Sequence, residues 1–165
     1  DDVFDRVVSI EMFEHIRNYQ ELLRRIRSFI KPEGKLFVHI FSHKFLVYPF
    51  EDKGPGDWMS REFFSGGLMP SHRLLLHFQE DLNIEKVWRI SGCHYSQTSW
   101  GWLEKMDKNK AHIIDIFSRT YGQNNAKIWW QRWRIFFMSC AELFGINNGN
   151  EWGVSHYLFV KGNSE

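Results

Sequence analysis

The strongest constraint on the fold lies between Phe4 and Ser42, where an apolar run, an amphipathic stretch and a second apolar run follow one another. Phe4 to Ile10 is short, β-branched and apolar on both faces, the pattern of a fully buried strand in a parallel sheet. Asn18 stands as an N-cap. Tyr19, Leu22, Leu23, Ile26 and Ile30 then recur at helical spacing until Lys31-Pro32-Glu33-Gly34 stops the helix and turns the chain. Lys35 to Ser42 (KLFVHIFS) is the second strand, and a connection of this length closes a right-handed βαβ unit. An α/β sheet is expected, and such sheets bind ligands in the crevice beyond the carboxyl ends of their strands.

The first strand runs directly into Glu11-Met12-Phe13-Glu14-His15. Glu11, Glu14 and His15 are therefore candidate catalytic residues, because titratable groups at a strand end face that crevice. Their i, i+3, i+4 spacing puts all three on one face if the segment turns helical. A carboxylate beside an imidazole favours the protonated ring, as a general base working near neutral pH requires. An exposed turn with ordinary surface charge is the competing reading of the same residue types.

His39 and His43 lie on one strand face but well apart along it, so no metal site is expected there. His43, just past the strand end, is a further candidate for substrate contact. From Lys44 to Met69, Pro49, Gly54-Pro55-Gly56 and Gly66-Gly67 punctuate a long excursion. Its aromatic residues need burial, and a cover over the strand ends would supply it. Pro70-Ser71 is expected to open a helix through Leu74, Leu75, Phe78 and Leu82, with Ser71 as its N-cap. Ile84 to Cys93 alternates as a strand, with His94 and Tyr95 at its end before a helix beginning near Trp100. Two cap helices follow, broken at Asp107-Lys108-Asn109, then a longer helix from Ala126 to Phe144. Gly145-Ile146-Asn147-Asn148-Gly149 ends it, and Glu151 to Lys161 is the last strand.

A length of 165 residues suits one domain with a sizeable core, and a formal charge of +1 without a dense Lys/Arg cluster argues against nucleic acid as a partner. Cys93 and Cys140 match no metal or redox spacing, which points to thiols in a reducing compartment and a cytoplasmic protein. No stretch has the roughly twenty apolar residues of a membrane span. Eight Trp and fifteen Phe exceed what core packing calls for, so part of that excess is expected to line a pocket.

Three stretches carry a family resemblance: VVSIEMFEHIRNYQELLRRIRSFIKPEGKLFVHIFSHK, SGCHYSQTSWGWLEKMD, and WWQRWRIFFMSCAELFGINNGNEWGVSHYLFVKG. They resemble S-adenosylmethionine-dependent methyltransferases of the cyclopropane-fatty-acid-synthase type, and within that group the plant coclaurine N-methyltransferase branch. The EMFEH motif is common to the lipid-modifying and amine-modifying branches, while the C-terminal stretch favours the amine branch. The resemblance implies an α/β fold: the C-terminal portion of a Rossmann-like class I methyltransferase, with a mostly parallel sheet and an α-helical cap. Residues 1–165 would be one portion of a single domain, with 44–83 and 96–150 as loop and cap-helix insertions and the last strand antiparallel at the sheet edge.

The same resemblance implies S-adenosyl-L-methionine as cofactor and a small benzylisoquinoline-like amine as methyl acceptor. His15 would be the base, Glu14 would tune and orient it, and Glu11 would hold the cationic nitrogen. His94, Tyr95, Trp133 and Phe136 would contact substrate. The glycine-rich turn that holds the cofactor in this fold does not occur in the sequence, so cofactor contacts stay unassigned and the isolated chain is expected to be inactive. Neither a metal nor integral membrane association is implied, and a homodimer is compatible with the resemblance. Two other readings stand beside it: cyclopropanation of unsaturated lipid acyl chains, and a non-catalytic interaction module on the same fold.

Overall fold

The expected strand-helix-strand unit opens the chain. β1 (Phe4–Ile10) pairs in parallel with β2 (Ile30–His43), from Val7 opposite Leu36 to Ile10 opposite His39. Between them runs α1 (Tyr19–Ser28), whose first turn is capped by Asn18 Oδ1 accepting from the Glu21 amide at 3.1 Å. Tyr19, Leu23 and Ile26 are buried, spaced to present one stripe to the core with Leu36, Val38 and Ile40 of β2. Burial of a Leu or Ile there contributes about 2 kcal/mol. The helix ends at Ser28 and the strand resumes at Ile30. Lys31 to Gly34 is absorbed as a register irregularity between β1 and β2 rather than a separate turn.

The computed structural model describes residues 3–162, which divide into two units: 3–90 with 153–162, and Ser91–Trp152. In the first unit, β3 (Tyr48–Pro49) and β4 (Leu68–Met69) form a short antiparallel pair, with α2 (Trp58–Phe63) between them. β5 (Leu82–Ser91) and β6 (Trp152–Lys161) complete a four-stranded sheet in the order β1-β2-β6-β5. The second unit is helical: α3 (Gly92–Lys108), α4 (Lys110–Tyr121) and α5 (Ala126–Gly149). Asn109 separates α3 from α4 where a break is expected. Asn147, Asn148 and Gly149 take positive φ of 50°, 53° and 73° at the end of α5, also as expected.

Several expectations are corrected. β1 is not fully buried: Val8 and Ile10 are 61% and 62% exposed, although Val7 packs on the core and Ser9 is buried. β1 is an end strand of the described sheet, and no described element covers its second face. No α-helix spans Ser71 to Leu82. Only a single 3-10 turn forms at Leu74–His77, its N-cap position is Arg73, and Ser71 instead bridges to His43. Leu75 is buried from that short turn, and Leu82 already belongs to β5.

β6 is not an edge strand. It lies between β2 and β5, and its residues are mostly buried or half-buried, as hydrogen bonding on both sides requires. His94 and Tyr95 are not in a strand-end loop, because α3 begins at Gly92, capped by Ser91 Oγ accepting from the Cys93 amide at 3.3 Å. Among the described residues no helix is long and apolar enough to cross a membrane.

Candidate active site

The chain leaves β1 through Glu11, whose amide still donates to His39 O at 3.0 Å and whose φ of 50° is unusual for a residue with a side chain. Such a conformation costs on the order of 1 kcal/mol and collects at functional sites. It turns the backbone out of the sheet, and a 3-10 turn over Phe13–His15 follows. Glu11 is therefore not on the same turn as Glu14 and His15, and the shared helical face anticipated from spacing does not form. Phe13 anchors the turn, fully buried and stacked on Tyr19 with ring centroids 6.0 Å apart.

Glu14 is only 1% exposed. Burial, and secondarily the charge of Glu11, push its carboxyl up to about 8. Its Oε1 lies 3.7 Å from His15 Nε2, while Oε2 accepts no hydrogen bond from the described residues. Near neutral pH Glu14 is thus largely protonated, where the sequence suggests a permanent carboxylate. His15 is accessible, with 45% of its side chain exposed, and its ring stacks on Phe64 at 6.1 Å. Glu11 faces the sheet, its Oε1 3.0 Å from His39 Nε2.

The excursion after β2 closes against this turn. Arg17 Nε donates to Gly66 O at 2.8 Å, and Arg17 Nη2 to Gly67 O at 3.3 Å. A Cβ on Gly67 would stand 2.6 Å from Glu14 O, so only glycine permits this approach. Phe41, Phe50 and Phe64 form a ring cluster beside it, with centroids 4.9–6.4 Å apart. His43 is buried, and its Nδ1 accepts from the amides of Phe45 and Leu46. That geometry makes it a loop anchor rather than a substrate contact.

The four candidate substrate residues belong to the helical unit. Tyr95 on α3 stacks on Phe144 of α5 at 4.2 Å, and His94 is one residue before it, its carbonyl accepting from Thr98 Oγ1. Trp133 lines a cavity of about 740 Å³ with Trp102, Met106, Ile113, Phe117 and Phe137, and with Lys105 and His112 among its polar lining. Phe136 is outside that lining and meets Trp133 edge-on at 5.5 Å. The loop aromatic Phe64 and the Gly66-Gly67 pair stand out in the sequence, but the contacts of Phe64 with His15, of Arg17 with Gly66 and Gly67, and of His39 with Glu11 are not legible there. The doubled glycine inside an aromatic-rich excursion was the one available signal for the loop contact.

A parallel βα unit with titratable groups at its strand end, in a chain whose other unit is helical, fits an α/β protein of the class I methyltransferase type. The model of the mycolic acid cyclopropane synthetase family matches residues 1–152, and the chain belongs to that family. It is 41% identical over 161 residues to (S)-coclaurine N-methyltransferase of Papaver somniferum, covering 96% of this chain and 46% of the relative. It is 34% identical to pavine N-methyltransferase of Thalictrum flavum subsp. glaucum, covering 96% and 45%. The crystal structure of coclaurine N-methyltransferase bound to N-methylheliamine and SAH is similar with a TM-score of 0.87 and 37% identity, over 97% of this chain and 47% of that one. The chain thus spans about half the length of the curated relatives it matches.

Proposed function

We propose that this chain carries the acid/base part of an S-adenosylmethionine-dependent N-methyltransferase acting on the nitrogen of a small, benzylisoquinoline-like amine. The cofactor supplies a methyl group on a sulfonium, already activated for in-line displacement. An aliphatic amine is an ammonium ion near neutral pH and has to lose a proton before its lone pair can attack. His15 is the exposed base that takes that proton. Glu11 attracts the cation, and Glu14 backs the His15 ring.

The observation that carries this reading is the pairing, at 3.7 Å, of an accessible imidazole with a buried carboxyl at the end of β1. Burial raises the Glu14 carboxyl, and it is its ionised form that stabilises the imidazolium as it forms, so the pairing gains strength as pH rises toward 8. No glycine-rich strand-to-helix turn occurs in this sequence, and β1 passes instead into Glu11. The residues described here therefore fit the acceptor side of the reaction, and none is assigned to the adenosine. His94, Tyr95, Trp133 and Phe136 keep the role the resemblance gives them, contact with the aromatic body of the amine.

The family model favours a second reading, methylation of unsaturated acyl chains. The experiment supplies labelled S-adenosylmethionine to the protein carrying this chain, with a tetrahydroisoquinoline panel in one arm and phospholipid vesicles in the other. Label on the amine nitrogen alone is the expected result. Label in acyl chains alone selects the lipid reading, and label in neither selects a non-catalytic module. A cytoplasmic location and a homodimer belong to the same proposal, tested by cell fractionation and light scattering.

A further inference from the structure

Behind Glu11 stand two histidines that the proposed reaction does not use. Glu11 Oε1 is 3.0 Å from His39 Nε2, and His39 Nδ1 is 2.9 Å from His156 Nε2. The three side chains come from the turn after β1, from β2 and from β6, and β2 and β6 are neighbours in the sheet. The imidazole centroids lie 4.9 Å apart, and Phe37 packs against the His156 ring at 5.2 Å. Cross-strand neighbours of this kind are held by the ladder rather than by side-chain preference.

A neutral imidazole has one donor and one acceptor, and a protonated one has two donors. For His39 to turn an N–H toward the carboxylate while the pair is neutral, it must carry its hydrogen on Nε2 and accept at Nδ1 from His156. One added proton then makes a single imidazolium shared by the pair, with its charge against Glu11.

We propose that the His39–His156 pair is an internal counter-ion for Glu11 that competes with the substrate's ammonium group for the same carboxylate. With the pair neutral, the Glu11 charge is directed at the amine. With the pair protonated, that charge is cancelled and the amine is released. This rests on the reading of Glu11 as the cation holder. Burial, and then the neighbouring His39, hold His156 below the usual imidazole range, which favours its neutral form. The titratable group that meets the pair is Glu11, against His39, and each histidine bears on the other.

The test uses an N,N-dimethyl-tetrahydroisoquinolinium ion, which has no proton of its own to lose. Calorimetric titration in buffers of different ionisation heat counts protons released on binding. Proton release that grows as pH falls through 6 and is absent near pH 8 is expected. His156→Gln keeps a donor but cannot take up the proton, and should reduce the release near pH 6 at least about threefold. Binding without release in the parent overturns the competition while leaving the N-methyltransferase reading intact. No binding at either pH overturns both. If His156→Gln fails to fold, the parent comparison at the two pH values still decides the matter. Imidazole ¹⁵N spectra of the parent chain give an independent check: a His39 ring that carries its hydrogen on Nδ1 at pH 8 also overturns the proposal.

Discussion

Phe64 stacks on His15, with ring centroids 6.1 Å apart and planes 17° from parallel. The excursion between β2 and β5 therefore sets the orientation of the proposed base. Phe64→Leu should lower kcat about tenfold with cofactor affinity nearly unchanged, and His15→Ala should lower it about a hundredfold or more. Steady-state kinetics on a tetrahydroisoquinoline substrate measure both. A Phe64→Leu variant with the parent kcat would show that the stack does not orient the base.

Glu14 makes folding depend on pH with a definite sign. Its folded value of about 8 lies above the ordinary 4.5, so between those values the folded state holds a proton that the unfolded chain has lost. Stability should be highest below about pH 4.5 as far as this group is concerned, and should fall by on the order of 5 kcal/mol as pH rises from there to about 8. Denaturant unfolding at several pH values follows the loss. Glu14→Gln should remove most of that slope, and a variant that keeps the full slope would assign it to another group.

Gly67 is the tightest point between loop and turn. Gly67→Ala places a methyl group against Glu14 O and the Phe50 ring and should cost about 1–3 kcal/mol, with a matching fall in Tm. Gly56→Ala is the control, because nothing lies within 4 Å of its added Cβ. Equal melting temperatures for the two variants would refute the close contact.

Trp133→Ala and Phe136→Ala address the aromatic helix. Each should raise KM for a cyclic amine about tenfold while cofactor affinity stays near the parent value. Trp133 lines the cavity and Phe136 supports it edge-on, so the Trp133 effect should be the larger. A loss of cofactor affinity in step with KM would mean that the helix is merely destabilised.

The βαβ unit was legible because its helix has a capping Asn, an apolar stripe and a clear stop. The asparagine-glycine end of α5 was legible because few residues take left-handed backbone. The exposure of β1 was not, since strand composition says which residues are apolar and not whether another layer covers them. The helix expected after Ser71 failed because its leucines are also consistent with a short turn running into a strand. At the site, residue types singled out Glu11, Glu14 and His15. Their division into a buried Glu14 beside an accessible His15, and a sheet-facing Glu11, depended on a positive φ at Glu11 that nothing local demands. The link from His39 to His156 spans 117 positions and follows only from strand order.

That strand order also bears on how the chain acquires its structure. β6 sits between β2 and β5 but is made after the whole of the helical unit, so neither neighbour can complete its ladder until residues 152–161 have emerged. Long sequence separation of this kind slows folding, whereas α3 to α5 contact one another locally and can form early. During that interval β2 and β5 present unpaired backbone and apolar surface, the condition under which strands pair with other molecules. Synthesis at low temperature or with chaperones present should therefore raise the yield of native chain more than changes to the helical unit would.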